Sequence, residues 1–310
     1  MLKWLLIGPG DIATRRVLPA ILAEPRSALA GVVTRNAERA VPYGVPAFGE
    51  LDDALRKSDA QAVYVATPVF LHANQTIACL RAGRHVLCEK PMAMNPAEAA
   101  SMNIAASETG LILGVAYYRR CYPKVNRAKA LMEAGAIGRP VLAEGMCHAW
   151  FNPGSGPRAW VTDPKAAGGG PLYDIASHRI DLMNYLFGEP VRVSSHRSTL
   201  VHAIDVEDNA TVLIDYRSGT RGMVDVRWHS RIARDEFRIC GTEGAIGLTP
   251  LNGPLLMYPG GTENLPAHEN SHYPLIHEFV SAVLDGAPLR SSGASAAVTD
   301  WVTGEACSTR

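Results

Sequence analysis

No charge of one sign dominates this 310-residue chain: 30 Lys and Arg stand against 30 Asp and Glu, for a formal net charge of zero. A nucleic-acid or anionic-membrane surface needs a basic excess, so neither is expected as the main partner. Six cysteines are scattered without a C-x-x-C pair or metal-ligand spacing, and no metal is expected. Most of them lie in apolar runs, which suits reduced thiols in a cytoplasmic protein. No apolar stretch approaches the ~20 residues that span a bilayer. The opening "MLKWLLIG" is too short for the core of a signal peptide. Internal repeats and low-complexity tracts are lacking too. These exclusions leave a soluble cytoplasmic protein, long enough for two domains.

What is present begins with alternation. From residue 2 to about 116, the apolar runs at 5–7, 29–33, 62–66, 85–89 and 111–115 are separated by helical patterns. Such alternation reads as parallel strands joined by crossover helices. The first turn, Gly8-Pro9-Gly10-Asp11-Ile12-Ala13, has a G-x-G-x-x-A spacing. Glycine there permits a tight turn and close approach of backbone to a pyrophosphate at a helix N-terminus. An ordinary strand-to-helix turn looks similar, but the strand before it and the helix after it favour a dinucleotide site.

The end of the second strand reports on which dinucleotide. NAD enzymes usually place a carboxylate there, and an arginine accommodates the 2′-phosphate of NADP. This chain has Thr34, Arg35 and Asn36, with Arg39 a turn later. Planar guanidinium forks suit a phosphate dianion, so NADP is expected, with NAD as the alternative. The plainer reading is a polar turn that happens to be basic. Ala66, Thr67 and Pro68 close the next apolar run and face the same crevice of an open parallel sheet. His72 follows, to cap, pack or touch the cofactor. Then "VLCEKP" sets Glu89 and Lys90 at a strand mouth, where Pro91 biases Lys90 toward extended backbone. A solvent-facing charge and a reaction centre are both open readings of that lysine.

After residue 117 the pattern changes. An amphipathic helix at 122–138 precedes closely spaced strand-like runs, and Val224, Val226 and Trp228 alternate with Met223, Asp225, Arg227 and His229. Period-two alternation indicates antiparallel strands covered on one side. Between these runs, Pro171 and Gly188 mark the start and end of a helix. Asp174 and His178, four apart, share one of its faces. Three glycines upstream leave the backbone bare for a ligand. An Asp beside a His raises its basicity and holds one tautomer, as a general base requires. An exposed ion pair at that spacing is the plain alternative. Tyr118, Trp150, His148 and Trp160 either line a ligand pocket or pack as core.

Taken in order and spacing, Gly8 to Ala13, Thr67-Pro68, Glu89-Lys90-Pro91 and the run Gly168 to His178 make the chain resemble the glucose-fructose oxidoreductase / inositol dehydrogenase / MocA family over nearly its whole length. The resemblance implies an N-terminal α/β Rossmann domain over 1–117. It also implies an α+β substrate-binding and oligomerisation domain over 118–310, with an open, mostly antiparallel sheet. The implied activity is hydride transfer between a nicotinamide and a sugar, polyol or sugar-derived carbonyl. Relatives that cleave glycosides without net redox change, or sense nucleotides without turnover, are the alternatives. Lys90, Asp174 and His178 are then the catalytic residues, and with Tyr118 and Trp160 they contact substrate. Glu89, Lys90 and His72 join the cofactor site. A homodimer or homotetramer is implied as well. The stretch after Arg39 is short where relatives carry a fuller helix, and the C-terminus at Arg310 ends early.

Overall fold

A computed structural model describes residues 1–153 and 156–308. The chain divides into two compact units, Met1–Tyr118 with His268–Ala297, and Arg119–Ala267 with Val298–Arg310.

The first unit is a six-stranded parallel sheet built from β1 (Leu2–Ile7), β2 (Ser27–Val33), β3 (Ala47–Phe48), β4 (Ala62–Val65), β5 (His85–Cys88) and β6 (Leu113–Val115). Its strand order is β3-β2-β1-β4-β5-β6. The direction of winding reverses between β1 and β4, the point in such sheets where ligands sit beyond the strands' carboxyl ends. Helices α1 (Leu18–Ala23), α2 (Leu51–Lys57), α3 (His72–Arg81) and α4 (Pro96–Thr109) make the crossovers. β4 is buried at every residue, as expected of a strand covered on both faces. Between β2 and β3 the chain makes only short 3-10 turns, at Ala37–Arg39 and Val41–Tyr43, where a full crossover helix would otherwise stand.

A division at residues 117 and 118 assigns 268–297 to the second domain, whereas its contacts group it with the first unit. The cause is the helix Tyr273–Asp285, whose Leu275, Ile276, Phe279 and Val280 are buried. Phe279 meets Trp4 of β1 at 5.1 Å between ring centroids. Arg26 also reaches Asp285 at 2.6 Å. An apolar helix face needs a sheet to cover it, and long-range packing rather than chain order supplies one.

The second unit is an eight-stranded sheet of β7 (Pro140–Trp150), β8 (Pro190–Ser198), β9 (Asn209–Tyr216), β10 (Arg221–Arg227), β11 (His229–Gly241), β12 (Ala245–Gly247), β13 (Leu255–Tyr258) and β14 (Gly261–Asn264). The order is β14-β13-β12-β11-β7-β10-β9-β8. Every pairing is antiparallel except β7 with β10, which run parallel. Helices α5 (Pro123–Glu133), α6 (Pro164–Ala167) and α7 (Ser177–Phe187) belong to this unit, and α7 packs on β7 and β10. Val224, Val226 and Trp228 are buried, as their alternation requires. On the opposite face Asp225 gathers His148, Thr211 and Arg227 at 2.6 to 3.0 Å.

Candidate active site

The glycine turn after β1 is tight: the Gly10 N–H donates to the Gly8 carbonyl at 2.7 Å. Gly8 has φ of +77°, and a Cβ there would lie 2.9 Å from Thr67 Cγ2 and 3.0 Å from the Ala66 carbonyl oxygen. Only glycine accepts both that backbone and that approach. Ala66 and Thr67 therefore lie against the first turn. The helix beyond Gly10 opens with a π segment at Ala13–Val17. Asp11 pairs with Arg15, and Ile12 is exposed.

At the end of β2, Thr34 Oγ1 accepts from the Asn36 N–H at 3.2 Å, and Asn36 Oδ1 accepts from the Glu38 N–H at 3.0 Å. Arg39 Nη1 donates to the Pro9 carbonyl at 2.7 Å, which ties this turn to the glycine turn. Arg35 is exposed. These residues fit a dinucleotide: the Gly8 turn is a cradle that a Cβ would fill, and the β2 end presents guanidinium without a carboxylate at Thr34 to Asn36.

The turn after β5 is held from several sides. The Glu89 N–H donates to the Val65 carbonyl at 2.9 Å. Glu89 is buried; Tyr64 Oη donates to its Oε1 at 2.7 Å and the Lys90 N–H donates to its Oε2 at 3.2 Å. His272 Nε2 stands 3.5 Å from Oε1. Burial opposes charge on Glu89, but His272, Tyr64 and Lys90 overcome it and hold its pKa below the ordinary carboxylate value. The Lys90–Pro91 peptide is cis. His72 is buried, with Nδ1 3.0 Å from the Pro91 carbonyl and Nε2 2.9 Å from the Thr67 carbonyl. Both ring nitrogens thus meet backbone, and His72 braces the Thr67 and Pro91 turns together. Burial lowers its pKa, partly offset by those carbonyls. Tyr118 lies with its ring centroid 4.6 Å from that of His272.

In the second unit, Asp174 falls within a π segment at Leu172–Ala176 that runs into α7, so Asp174 and His178 are not separated by one regular α turn. Arg158 makes an ion pair with Asp174. His178 is buried, as is nearly all of α7, unlike a residue on an exposed helix face. Asp181 has its own partner: Arg120 Nε and Nη2 grip its two oxygens at 2.9 and 2.6 Å, and both residues are buried. Trp160 is 38% exposed and Trp150 37%, while the intervening Phe151 stacks on Trp228 at 4.4 Å.

The three glycines serve a different purpose from the one expected. A Cβ at Gly168 or Gly169 would meet the Tyr173 ring at 2.7 or 2.6 Å, and one at Gly170 would lie 2.0 Å from the Glu207 carbonyl oxygen. They admit the chain's own Tyr173 and Glu207. The Glu207 side chain then accepts from the Gly170 and Leu172 N–H groups, each at 3.0 Å, satisfying donors at the start of the segment that carries Asp174. Burial pushes the Glu207 carboxyl up, against the pull of these donors. Sequence reasoning missed Tyr64, Arg158, Glu207 and His272. Arg158 stands two residues before Trp160 and Tyr64 two before Ala66, whereas Glu207 and His272 lie beside no motif. Among the described residues no group of three or more His, Cys, Asp or Glu side chains is placed to hold a metal, and no helix is long and apolar enough to cross a membrane.

A parallel sheet whose winding reverses beside a glycine turn, with a second unit in which a helix carrying a buried His packs on a mostly antiparallel sheet, is the design of a two-unit nucleotide-binding protein. The family described as an oxidoreductase family with NAD-binding Rossmann fold matches residues 2–117, and the GFO/IDH/MocA C-terminal domain matches residues 125–247. The chain belongs to this Gfo/Idh/MocA family of oxidoreductases. It is 31% identical over 253 residues to 1,5-anhydro-D-fructose reductase of Ensifer adhaerens, covering 79% of this chain and 75% of that one. It is 33% identical over 292 residues to dTDP-3,4-didehydro-2,6-dideoxy-alpha-D-glucose 3-reductase of Streptomyces violaceoruber, covering 85% and 80%. A solved structure of levoglucosan dehydrogenase with NADH and levoglucosan superposes with a TM-score of 0.89 at 27% identity, covering 99% of this chain and 96% of that one.

Proposed function

We propose that this protein is an NADP(H)-preferring dehydrogenase or reductase of a sugar, polyol or sugar-derived carbonyl, with Lys90, Asp174 and His178 as its catalytic residues. The bound nicotinamide supplies or accepts the hydride. His178 exchanges the proton of the reacting hydroxyl, Asp174 orients that imidazole, and Lys90 polarises the oxygen as its charge develops. Gly8 to Ala13 hold the pyrophosphate by backbone N–H groups, with Ala66 to Pro68, Glu89 and the His72 brace behind them. Tyr118 and Trp160 offer aromatic faces to the sugar.

The observation that carries the cofactor preference is the β2 end, where Arg35 is exposed and Arg39 is tied to Pro9. Arg35 is thus the guanidinium that reads the 2′-phosphate, as a planar donor fork does. NADPH is expected to bind at least about tenfold tighter than NADH, roughly 1.4 kcal/mol. Arg35→Ala removes most of that gap, and equal affinities in the parent protein would overturn the reading. Turnover is tested with 1,5-anhydro-D-fructose, levoglucosan, D-glucose and myo-inositol, following reduced-cofactor absorbance. Lys90→Met should lower kcat by roughly two to four orders of magnitude on the best of these. A folded Lys90→Met protein with parental kcat ends the catalytic assignment. We also propose a dimer or tetramer formed through the open face of the second sheet, where Leu213 is exposed. A monomer by light scattering at micromolar concentration counts against that assembly.

A further inference from the structure

The geometry points to Tyr64 and His272 as positioning residues for Lys90, acting through the Glu89 carboxylate. The inference rests on Lys90 being catalytic. An ionised carboxylate taken out of water is costly unless its oxygens are engaged, and an apolar side chain would fill the same space at less cost. Glu89 is nevertheless buried; Tyr64 Oη at 2.7 Å and the Lys90 N–H at 3.2 Å donate to it, and the His272 ring lies beside it, Nε2 3.5 Å from Oε1 without a hydrogen bond. The three come from separate parts of the first unit: Tyr64 from the middle of β4, Lys90 from the turn itself, and His272 from the segment that returns after residue 267. His272 is buried and fixed in turn, with Nδ1 3.3 Å from Ser271 Oγ and its ring against Tyr118.

The consequence is local. Lys90 extends from a backbone whose own N–H is held by Glu89 Oε2, and whose next carbonyl, that of Pro91, is held by His72. Loosening Glu89 releases one of those two ties. A shift on the order of 1 Å at a reacting group costs up to about 10²-fold in rate, whereas dinucleotide contacts at the glycine turn and the β2 end stay in place.

The test uses Tyr64→Phe, which keeps the ring and removes the hydroxyl, and His272→Phe, which puts a phenyl ring in place of the imidazole and removes the nitrogen facing Glu89 together with the Nδ1 contact to Ser271. On the best substrate of the four named sugars and polyols, each is expected to lower kcat about tenfold or more. KM and the NADPH Kd, read by cofactor fluorescence, should stay within about threefold of the parent. His272→Gln, which returns a polar N–H group to that side of Glu89, should recover most of the kcat lost in His272→Phe. The Tyr64→Phe/His272→Phe double variant should lose less than the product of the singles, because both act on one carboxylate. Parental kcat in both folded Phe variants overturns the inference, as does a matching kcat in His272→Gln and His272→Phe. If one Phe variant does not fold, the kcat of the other decides. Lys90→Met separates the two readings. A parental kcat there removes the catalytic assignment itself. A low kcat there, beside parental Tyr64→Phe and His272→Phe, removes only the positioning role.

Discussion

Gly170→Ala distinguishes a glycine kept for the fold from one kept for a ligand. The added methyl would lie 2.0 Å from the Glu207 carbonyl oxygen and 3.1 Å from Val206 Cγ2. Carbon and oxygen do not approach closer than about 3 Å, so roughly 1 Å of overlap must be relieved against backbone rather than a flexible side chain. Overpacking of this kind typically costs about 1–3 kcal/mol. Moving Gly170 away also strains the hydrogen bonds that the Gly170 and Leu172 N–H groups donate to the Glu207 carboxylate, worth about 1.5–3 kcal/mol each when lost. A destabilisation of about 3 kcal/mol is the expected result. At roughly 2–4 °C per kcal/mol for a domain of this size, Tm falls by about 6–12 °C. Urea unfolding should show a lower midpoint at unchanged m. NADPH affinity, set in the first unit, should hold within about twofold. Parental stability with a selective rise in sugar KM would refute the packing account and return Gly170 to ligand approach.

Asp181→Ala removes the carboxylate that the Arg120 guanidinium, 2% exposed, grips with two hydrogen bonds, and should cost about 3–5 kcal/mol by denaturant titration. The Arg120→Met/Asp181→Leu pair should recover much of that loss, since neither charge then needs a partner. Asp208 is fully buried; burial pushes its carboxyl up, but the His202, Leu200 and Val201 N–H groups and the Asn209 amide overcome it and bring the pKa to about 2, from 3.8. A lowered folded-state pKa stabilises above the unfolded value and is lost as pH falls through the folded one. The stability difference between parent and Asp208→Asn should therefore be flat above pH ~4 and shrink toward pH ~2, read by urea titrations across that range. A difference independent of pH would contradict the assignment. Gly8→Ala must hold φ near +77°, at about 1–2 kcal/mol, beside Thr67. Weakening of NADPH binding by at least about tenfold is expected by fluorescence titration, and unchanged affinity would free the turn from that role.

The sequence determined whatever depends on short-range order. Strand-turn-helix alternation, the Gly8–Gly10 spacing and the period-two pattern at 223–229 are local, and a parallel sheet followed by a mostly antiparallel one could be read from them. The shortened stretch after Arg39 was visible as well, but that it folds as 3-10 turns was not, since a connection of the same length between β3 and β4 carries α2. Tertiary structure decided where distant segments return. The helix Tyr273–Asp285 joined the first sheet because its apolar face fits Trp4 and α1, a match no local pattern encodes. Glu89 was visible in its motif, but Tyr64 lay hidden in an apolar run and His272 sat 183 positions away by difference of residue numbers. The Gly168 to Gly170 run was seen, yet its purpose was set by Tyr173 and Glu207, whose positions follow from packing. A four-residue spacing likewise predicts a shared helix face, but nothing local shows that Asp174 also pairs with Arg158. Burial and long-range hydrogen bonding, which act only once the chain is folded, fixed the surroundings of residues whose identities the sequence had already displayed.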